Sequence, residues 1–399
     1  MIFNTYWFLC FAAVFFPVYW LLLRPRLRQL WLLAGCAVFH WHFAGPAGVL
    51  PIIVLGAATY LLALSRRRGL CVAGIVLCVA ALCFYKYALF LAHGVLGALQ
   101  PAWGDALAAS LSARLPLLPP LAISFFAFEF VHYLVEVRRG GEPMRSPLDF
   151  ALFAIHFPSL VAGPIKRYRD YLPGLARGSA AVDSGDVAAG LQRFALGAVK
   201  KLLLADNLTL VINYYDGRFT TLPVAQAWLL LAALSARILL DFSGYSDMAI
   251  GLSRMLGIGL PENFSYPYLA ASLRDFWQRW HISLSTWIRD YVYIPLGGNR
   301  HGRVRQVLYG AIAFALCGLW HGPAWHFVLW GLWHGLGLAV AGSYAAALGG
   351  AGRALAAGFA RLPGLGWALT LLYVSLGWLL FFYEPRQAWA IAAHLFGAR

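Results

Sequence analysis

Long apolar runs separated by short polar breaks dominate the chain. In the first 145 residues they fall at 6–23, 29–44, 48–64, 70–92 and 118–137. A helix needs roughly 20 apolar residues to cross the hydrocarbon core of a bilayer, so each run predicts a spanning helix. The breaks differ in charge. Arg24, Arg26 and Arg28 follow the first run, an uncharged Gly45–Pro46 the second, and Arg66, Arg67 and Arg68 the third. Asp105 and Arg114 follow the fourth, and Arg138, Arg139 and Arg145 the fifth. Nine of the eleven Lys and Arg of this region lie on alternate breaks; Arg114 is on the other side and Lys86 within a run. Loops that stay in the cytoplasm collect Lys and Arg, which predicts cytoplasmic basic breaks and an N-terminus outside. The basic cluster comes after the first apolar run, the reverse of a cleavable signal, so that run is read as a retained span.

Beyond residue 145 the regularity fails. The stretch 148–163 is short, broken by Pro158, and has basic residues at both ends: Arg138, Arg139 and Arg145 before it, Lys166, Arg167 and Arg169 after it. Equal charge at both ends predicts a segment that enters and leaves on one face, which lipid tolerates only where the backbone is buried in protein or lines a wet cavity. A polar break at 180–186 precedes a helix with Lys200 and Lys201, and a span follows from about 225 to Asp241. The turn formers of 257–268 predict a loop. From Leu273 to Tyr291 the apolar residues Leu273, Phe276, Trp277, Trp280, Leu284, Trp287 and Ile288 recur with helical spacing, predicting one amphipathic helix. Spans near 306–319, 324–345 and 365–383 and a last apolar stretch after Pro385 complete the chain. No internal repeat or soluble domain is evident.

Composition agrees. Of 399 residues, 61% are hydrophobic and only 12% charged, against about a quarter charged in a soluble protein. A soluble core and a disordered chain are both excluded, leaving an all-α polytopic membrane protein with about 10–12 transmembrane or re-entrant helices. The net charge of +15 is read as topology, not as a nucleic-acid footprint. Cys10, Cys36, Cys71, Cys78, Cys83 and Cys317 all sit in apolar runs without a C-x-x-C pair. They are therefore read as small core residues rather than disulfides or metal ligands.

Ionisable groups inside a membrane protein are costly and mark function by default. His321, His326 and His334 are spaced by five and eight residues, which puts no pair on the i, i+4 face of a helical metal site, so no metal is expected. A lone His on an apolar helix is usually a hydrogen-bonded core residue, the reading preferred for His326 and His334. On the amphipathic helix His281 falls about 80° from the centre of the apolar stripe, at its edge, a position that suits either a cavity or an idle interfacial residue. Asp241, Ser243, Tyr245 and Asp247 end an apolar run, as a helix terminus or as polar lining. Lys166, Arg167, Arg169, Lys200 and Lys201 suit lipid headgroups or an anionic ligand. A neutral imidazole accepts a proton from an alcohol at neutral pH. Neither a G-x-S-x-G elbow nor a phosphate-binding G-x-x-x-x-G-K-[ST] is present. Transfer of an activated acyl group to a hydroxyl within the membrane fits these residues.

The ordered motifs DFSGYSDMAIGLSRMLGI, LPENFSYPY, LRDFWQRWHISLSTWIRDYVYIPLGGNR and GLWHGPAWHFVLWGLWHG, with FYKY, ISFFAFEFVHYLVEVRRG and FPSLVAGPIKRYRDYLP before them, resemble the membrane-bound O-acyltransferases. The likeness is to the bacterial branch of alginate O-acetyltransferases (AlgI) and D-alanine transfer proteins (DltB). It covers 84–340 of a single membrane domain, with N-terminal spans in 1–83 and C-terminal spans in 341–399. The resemblance implies helices around a membrane-crossing tunnel, with a thioester donor such as acetyl-CoA entering from the cytoplasm and an acceptor from outside. The family's essential histidine falls on His321, in W-H-G, and its second on His281, in R-W-H-I-S-L-S. Lys166, Arg167 and Arg279 become candidates for the donor's phosphates. Asp241, Ser243, Tyr245, Asp247, Asn263, Tyr266, Trp280 and Trp320 become candidates for the tunnel wall. No permanently bound cofactor is expected. A bacterial inner-membrane location, contact with membrane lipid and a periplasmic polysaccharide-modifying partner are. Alginate-type members run on past the last helix here, so the partner-docking surface is expected to differ. Two alternatives stay open: D-alanyl transfer from a carrier protein, and a transporter or export component lined by the same charges.

Overall fold

The computed structural model describes residues 2–22, 24–116, 119–215 and 217–398; Leu23 and Leu118, at the ends of two predicted spans, lie outside them. Among the described residues the elements are helices joined by loops, with no strand. Pro25–Leu64, Arg68–Tyr87, Val224–Met255 and Pro363–Phe382 are long and apolar enough to cross a membrane by length and composition. Leu50, Ile53, Val54 and Leu61 on the first of these are each at least 60% exposed. Water-soluble surfaces do not carry such a stripe; it is a lipid-facing surface. The helices group into two compact units, residues 1–198 with 245–261, and residues 199–244 with 262–399.

In the first unit, Tyr6–Leu21 is capped by Thr5, whose hydroxyl accepts from the Phe8 amide at 3.1 Å. Pro25–Leu64 contains the two predicted spans 29–44 and 48–64, and they meet at Gly45, which has φ 63° and ψ 175°. The residue before a proline avoids helical geometry, and glycine takes the positive φ without a Cβ clash. Ile123–Arg138 is buried on nearly all sides against Arg68–Leu82 and Pro25–Leu64, its polar Ser124, Glu129 and His132 included. Lys86, the lysine inside a predicted span, donates to Ser124 Oγ at 3.1 Å. Pro147–Ala154 is only eight residues and ends at a tight turn, Phe157–Ser159, as the broken 148–163 segment predicted. Arg28 reaches the Ser179 carbonyl at 3.1 Å, so one charge of the first basic break is buried in the protein.

In the second unit, Gly302–His321 and Trp325–Ala347 form a tight helical hairpin. A Cβ on Gly318 would lie 2.0 Å from the Phe327 carbonyl oxygen, and one on Gly331 2.0 Å from that of Phe314. Two reciprocal glycines thus let the backbones touch, the device by which membrane helices associate without a hydrophobic driving force. Pro363–Phe382 packs on Trp325–Ala347, and Leu379 and Tyr383 join Leu231, Leu234 and Ile391 in an apolar core.

Three expectations need correction. The predicted single helix from Leu273 to Tyr291 is two short helices, Leu273–Arg279 and Ile282–Ile288, broken at Trp280 and His281. The segment from Asp241 to Asp247 is no helix terminus. It lies within Val224–Arg254, where ion pairs take up Asp241 and Asp247 without ending the helix. The nearly neutral break around Asp105 contains a helix, Pro101–Ser112, started by its proline.

The hairpin generates a prediction. Gly318→Ala should lower the thermal stability of the detergent-purified protein by ~2 kcal/mol or more, because backbone must move to admit the methyl group. Gly310→Ala on the same helix, where a Cβ meets nothing within 4 Å, should leave stability unchanged or raise it by up to ~1 kcal/mol. Equal melting curves for the two variants would refute the close contact.

Candidate active site

The break between Leu273–Arg279 and Ile282–Ile288 determines where His281 points. On a continuous helix its ring would sit at the stripe edge; instead His281 has φ 43° and ψ 53°, a left-handed conformation uncommon for a residue with a side chain. His281 is 1% exposed. Such strain persists only where surrounding contacts over-determine it, and here Asn263 supplies them. The Asn263 carbonyl accepts from the Ile282 amide at 3.0 Å, and its side-chain Oδ1 accepts from the Ser283 amide at 3.2 Å and the Ser283 hydroxyl at 2.8 Å. These contacts satisfy amides that the start of a helix leaves without partners. The same Oδ1 lies 3.1 Å from His281 Nδ1. Nε2 of His281, at the other side of the ring, is inaccessible to solvent and has no hydrogen-bond partner among the described residues.

His321 is the last residue of Gly302–His321 and is half-buried. Its ring centre is 6.3 Å from that of His281, too far for a direct bond between the two rings. Trp320 lies 5.0 Å, Trp330 5.2 Å and Phe381 5.2 Å from the His321 ring. On the His281 side Phe242 meets the ring edge-on at 4.7 Å, and Trp320 lies 5.9 Å away. Two imidazoles therefore share an aromatic enclosure from which bulk solvent is largely excluded, where a proton transfer or hydrogen bond acts without competition from water.

The other predicted site residues are placed as follows. Trp280 and Trp320 are buried and form aromatic wall, Trp280 against Phe264 at 5.1 Å and Trp378 at 4.9 Å. Tyr266 is 77% exposed, so it is no part of the enclosure. Its neighbour Tyr268 points inward, donating to the Ser235 carbonyl at 2.7 Å and accepting from Trp378 Nε1 at 3.0 Å. Ser243 is buried. Asp241 pairs with Lys201 at 2.7 Å, and Lys201 also pairs with Asp206, so Lys201 serves two carboxylates of the protein itself. Arg279 pairs with Asp275 one turn back at 2.7 Å.

The first unit holds the remainder. Tyr245 is buried and stacks on Phe3 at 4.9 Å, and Asp247 pairs with Arg193 at 2.7 Å. Lys166 is 2% exposed and donates to Glu129 at 2.6 Å, over the ring of Phe153. Its charge is neutralised inside the protein, where the resemblance had it facing a donor's phosphates. Arg167, next to it, is half-buried. Of the two histidines read as hydrogen-bonded core residues, His326 directs Nδ1 at the Leu380 carbonyl, 3.1 Å away. His334 is fully buried among Phe276, Trp277, Trp330 and Trp378, but neither ring nitrogen has a hydrogen-bond partner among the described residues. Ser283 and Phe242 are the site residues that sequence reasoning missed. The signal for Ser283 was the S-L-S that follows His281, which the helical rhythm absorbed.

Comparison with known proteins assigns the class. Residues 73–351 match the membrane-bound O-acyltransferase (MBOAT) family, and the chain belongs to it. It is an acyltransferase embedded in a membrane, which sets aside the transporter alternative. More particular likenesses accompany that. The chain is 36% identical to the "Probable alginate O-acetylase AlgI" of Azotobacter vinelandii over 98% of its own length and 77% of that protein's. It is 31% identical to the peptidoglycan O-acetyltransferase of Helicobacter pylori over 95% of this chain and 71% of the relative. The teichoic acid D-alanyltransferase of Bacillus subtilis matches at 30% over 53% of this chain and 56% of the relative.

The buried ion pair makes a testable claim. Removing one partner of a buried pair strands the other charge, at a cost of ~3–5 kcal/mol, whereas replacing both with apolar groups is often close to neutral. Lys166→Met alone should therefore lower the yield and melting temperature of purified protein sharply, and Lys166→Met with Glu129→Leu should recover most of the loss. If the double variant is less stable than the single one, the pair is not the internal brace assigned to it.

Proposed function

We propose that this acyltransferase moves an acetyl group from acetyl-CoA, supplied on the cytoplasmic side, to a hydroxyl of a polysaccharide outside the inner membrane, directly or through a periplasmic relay protein. The observation that carries the reading is the two-histidine enclosure: His321 and His281 with their rings 6.3 Å apart and His281 Nε2 buried without a partner among the described residues. An acyl acceptor must lose a proton as its oxygen attacks the thioester carbonyl, and a positioned imidazole supplies that step. In this reading His321 is the general base. The hydroxyl oxygen bonds to the acetyl carbonyl carbon, its proton passes to His321, and the CoA thiolate leaves and recovers a proton. His281 orients the acceptor. Holding both substrates in one enclosure converts an encounter into a near-unimolecular step.

The choice of acetyl and of a polysaccharide rests on the relatives. Relatives that align with more than nine-tenths of this chain are named for O-acetylation of alginate and of peptidoglycan; the D-alanyltransferase aligns with about half. The orientation proposed, N-terminus outside and basic breaks inside, follows from the alternation of Arg along the first 145 residues. A thioester donor reaches such a protein from the cytoplasm, and a cell-envelope acceptor from the opposite face.

The test is acetyl content of envelope polysaccharide by mass analysis, in cells with the wild-type protein, without it, and with His321→Ala. Loss of the protein should remove O-acetyl groups from one polymer. His321→Ala, inserted at the wild-type level, should reduce transfer by ~10²-fold or more. Wild-type acetylation by His321→Ala would overturn the assignment of the base. D-alanyl ester in place of acetyl on the modified polymer would overturn the assignment of the acyl group.

A further inference from the structure

We propose that Asn263 is a positioning residue that holds His281 as the Nδ1–H tautomer, making Nε2 a hydrogen-bond acceptor for an O–H group of the bound acyl acceptor. The inference rests on the two-histidine reading above and assigns the direction of the His281 hydrogen bond.

Asn263 Oδ1 is 3.2 Å from the Ser283 backbone nitrogen, and a backbone N–H can only donate. The Asn263 atom at that position is therefore the amide oxygen, and its NH2 group points the other way. The Ser283 hydroxyl, 2.8 Å from the same oxygen, donates as well. His281 Nδ1 is 3.1 Å from this oxygen. Two acceptors facing each other would repel, so Nδ1 must carry hydrogen. A neutral imidazole has one N–H, so Nε2 carries the lone pair.

Three consequences follow. First, neutral His281 has no proton at Nε2 to offer an acyl carbonyl oxygen, so it is not an oxyanion donor in its resting form. Second, Nε2 is buried and unpartnered among the described residues, and burying an acceptor without a donor is costly. A substrate O–H removes that cost, and an acyl acceptor brings one where a thioester carbonyl does not. Third, the positive φ of His281 and the capping of Ile282 and Ser283 by Asn263 come from the same residue. One asparagine therefore fixes the ring's position and its tautomer together.

Among the described residues, the ring neighbours facing His281 are Phe242 from Val224–Arg254, and Trp320 and His321 from Gly302–His321. His321 is the titratable one. This makes Asn263→Asp informative. A carboxylate there still accepts from Nδ1, from the Ser283 amide and from the Ser283 hydroxyl, but it also favours the imidazolium form, which has no lone pair at Nε2. Asn263→Asp should stay active at high pH, with the acidic limb of the rate profile moved to higher pH than in wild type. Asn263→Leu, of similar size, should lose at least ~10-fold in acyl transfer at every pH, with the larger part of the loss in apparent KM for the acceptor. Nitrogen-15 spectra of the labelled imidazole should show a proton on Nδ1 of His281 in wild type.

Three results would overturn the proposal: a protonated Nε2 in wild-type protein, an acidic limb unmoved in Asn263→Asp, or wild-type kinetics in folded Asn263→Leu. His281→Gln and His321→Ala separate this failure from that of the underlying reading. If both of those retain full activity, the two-histidine reading falls. If both lose activity while Asn263→Leu does not, only the role of Asn263 falls.

Discussion

A helix that ends inside a membrane protein leaves amide groups that neither water nor lipid will satisfy, and at His281 one asparagine meets that demand. Asn263 closes the first turn of Ile282–Ile288 with its carbonyl and its side chain. Without those bonds the break after Arg279 would expose donors at several kcal/mol each, and a continuous helix would be the better solution. The break turns His281 inward and lets its ring approach His321. The walls depend on it in turn: Trp280, in extended backbone at the break, packs between Phe264 and Trp378.

The second unit is built to hold His321 still. The Gly318–Gly331 contact locks the Gly302–His321 and Trp325–Ala347 helices at backbone distance, and Trp330 and Phe381 flank the imidazole. Several charges elsewhere are neutralised in place. Lys166 is matched by Glu129, Lys201 by Asp241 and Asp206, and Arg193 by Asp247. These pairs let segments that are too short or too polar to cross alone remain within an apolar protein.

Much of this was legible in the residues, and the failures have physical causes. Apolar run length located the long helices, because lipid enforces it. The kink at Gly45–Pro46 was legible because proline constrains the residue before it. The break at His281 was not: Phe276, Trp277, Trp280, Leu284 and Trp287 keep helical spacing across it, and the decisive partner, Asn263, is eighteen residues away in a loop. Tyr266 and Tyr268 show the same limit. Both stand in one motif, but a left-handed Tyr266 sends its side chain out and leaves Tyr268 facing in, which no periodicity reports. The partner of Lys166, Glu129, lies 37 residues away on another helix, so their pairing was not legible along the chain. The two histidines came from motifs rather than from spacing, which left each of them open.

The central claim is that His281 and His321 act as one unit on a single acceptor. A double-mutant cycle on acyl transfer, with His281→Ala, His321→Ala and the double variant purified at equal yield, tests it most directly. Residues that act together are strongly non-additive, so the double variant should be no slower than the slower single variant. Losses that multiply, with the double variant slower by the product of the two single effects, would contradict a shared site.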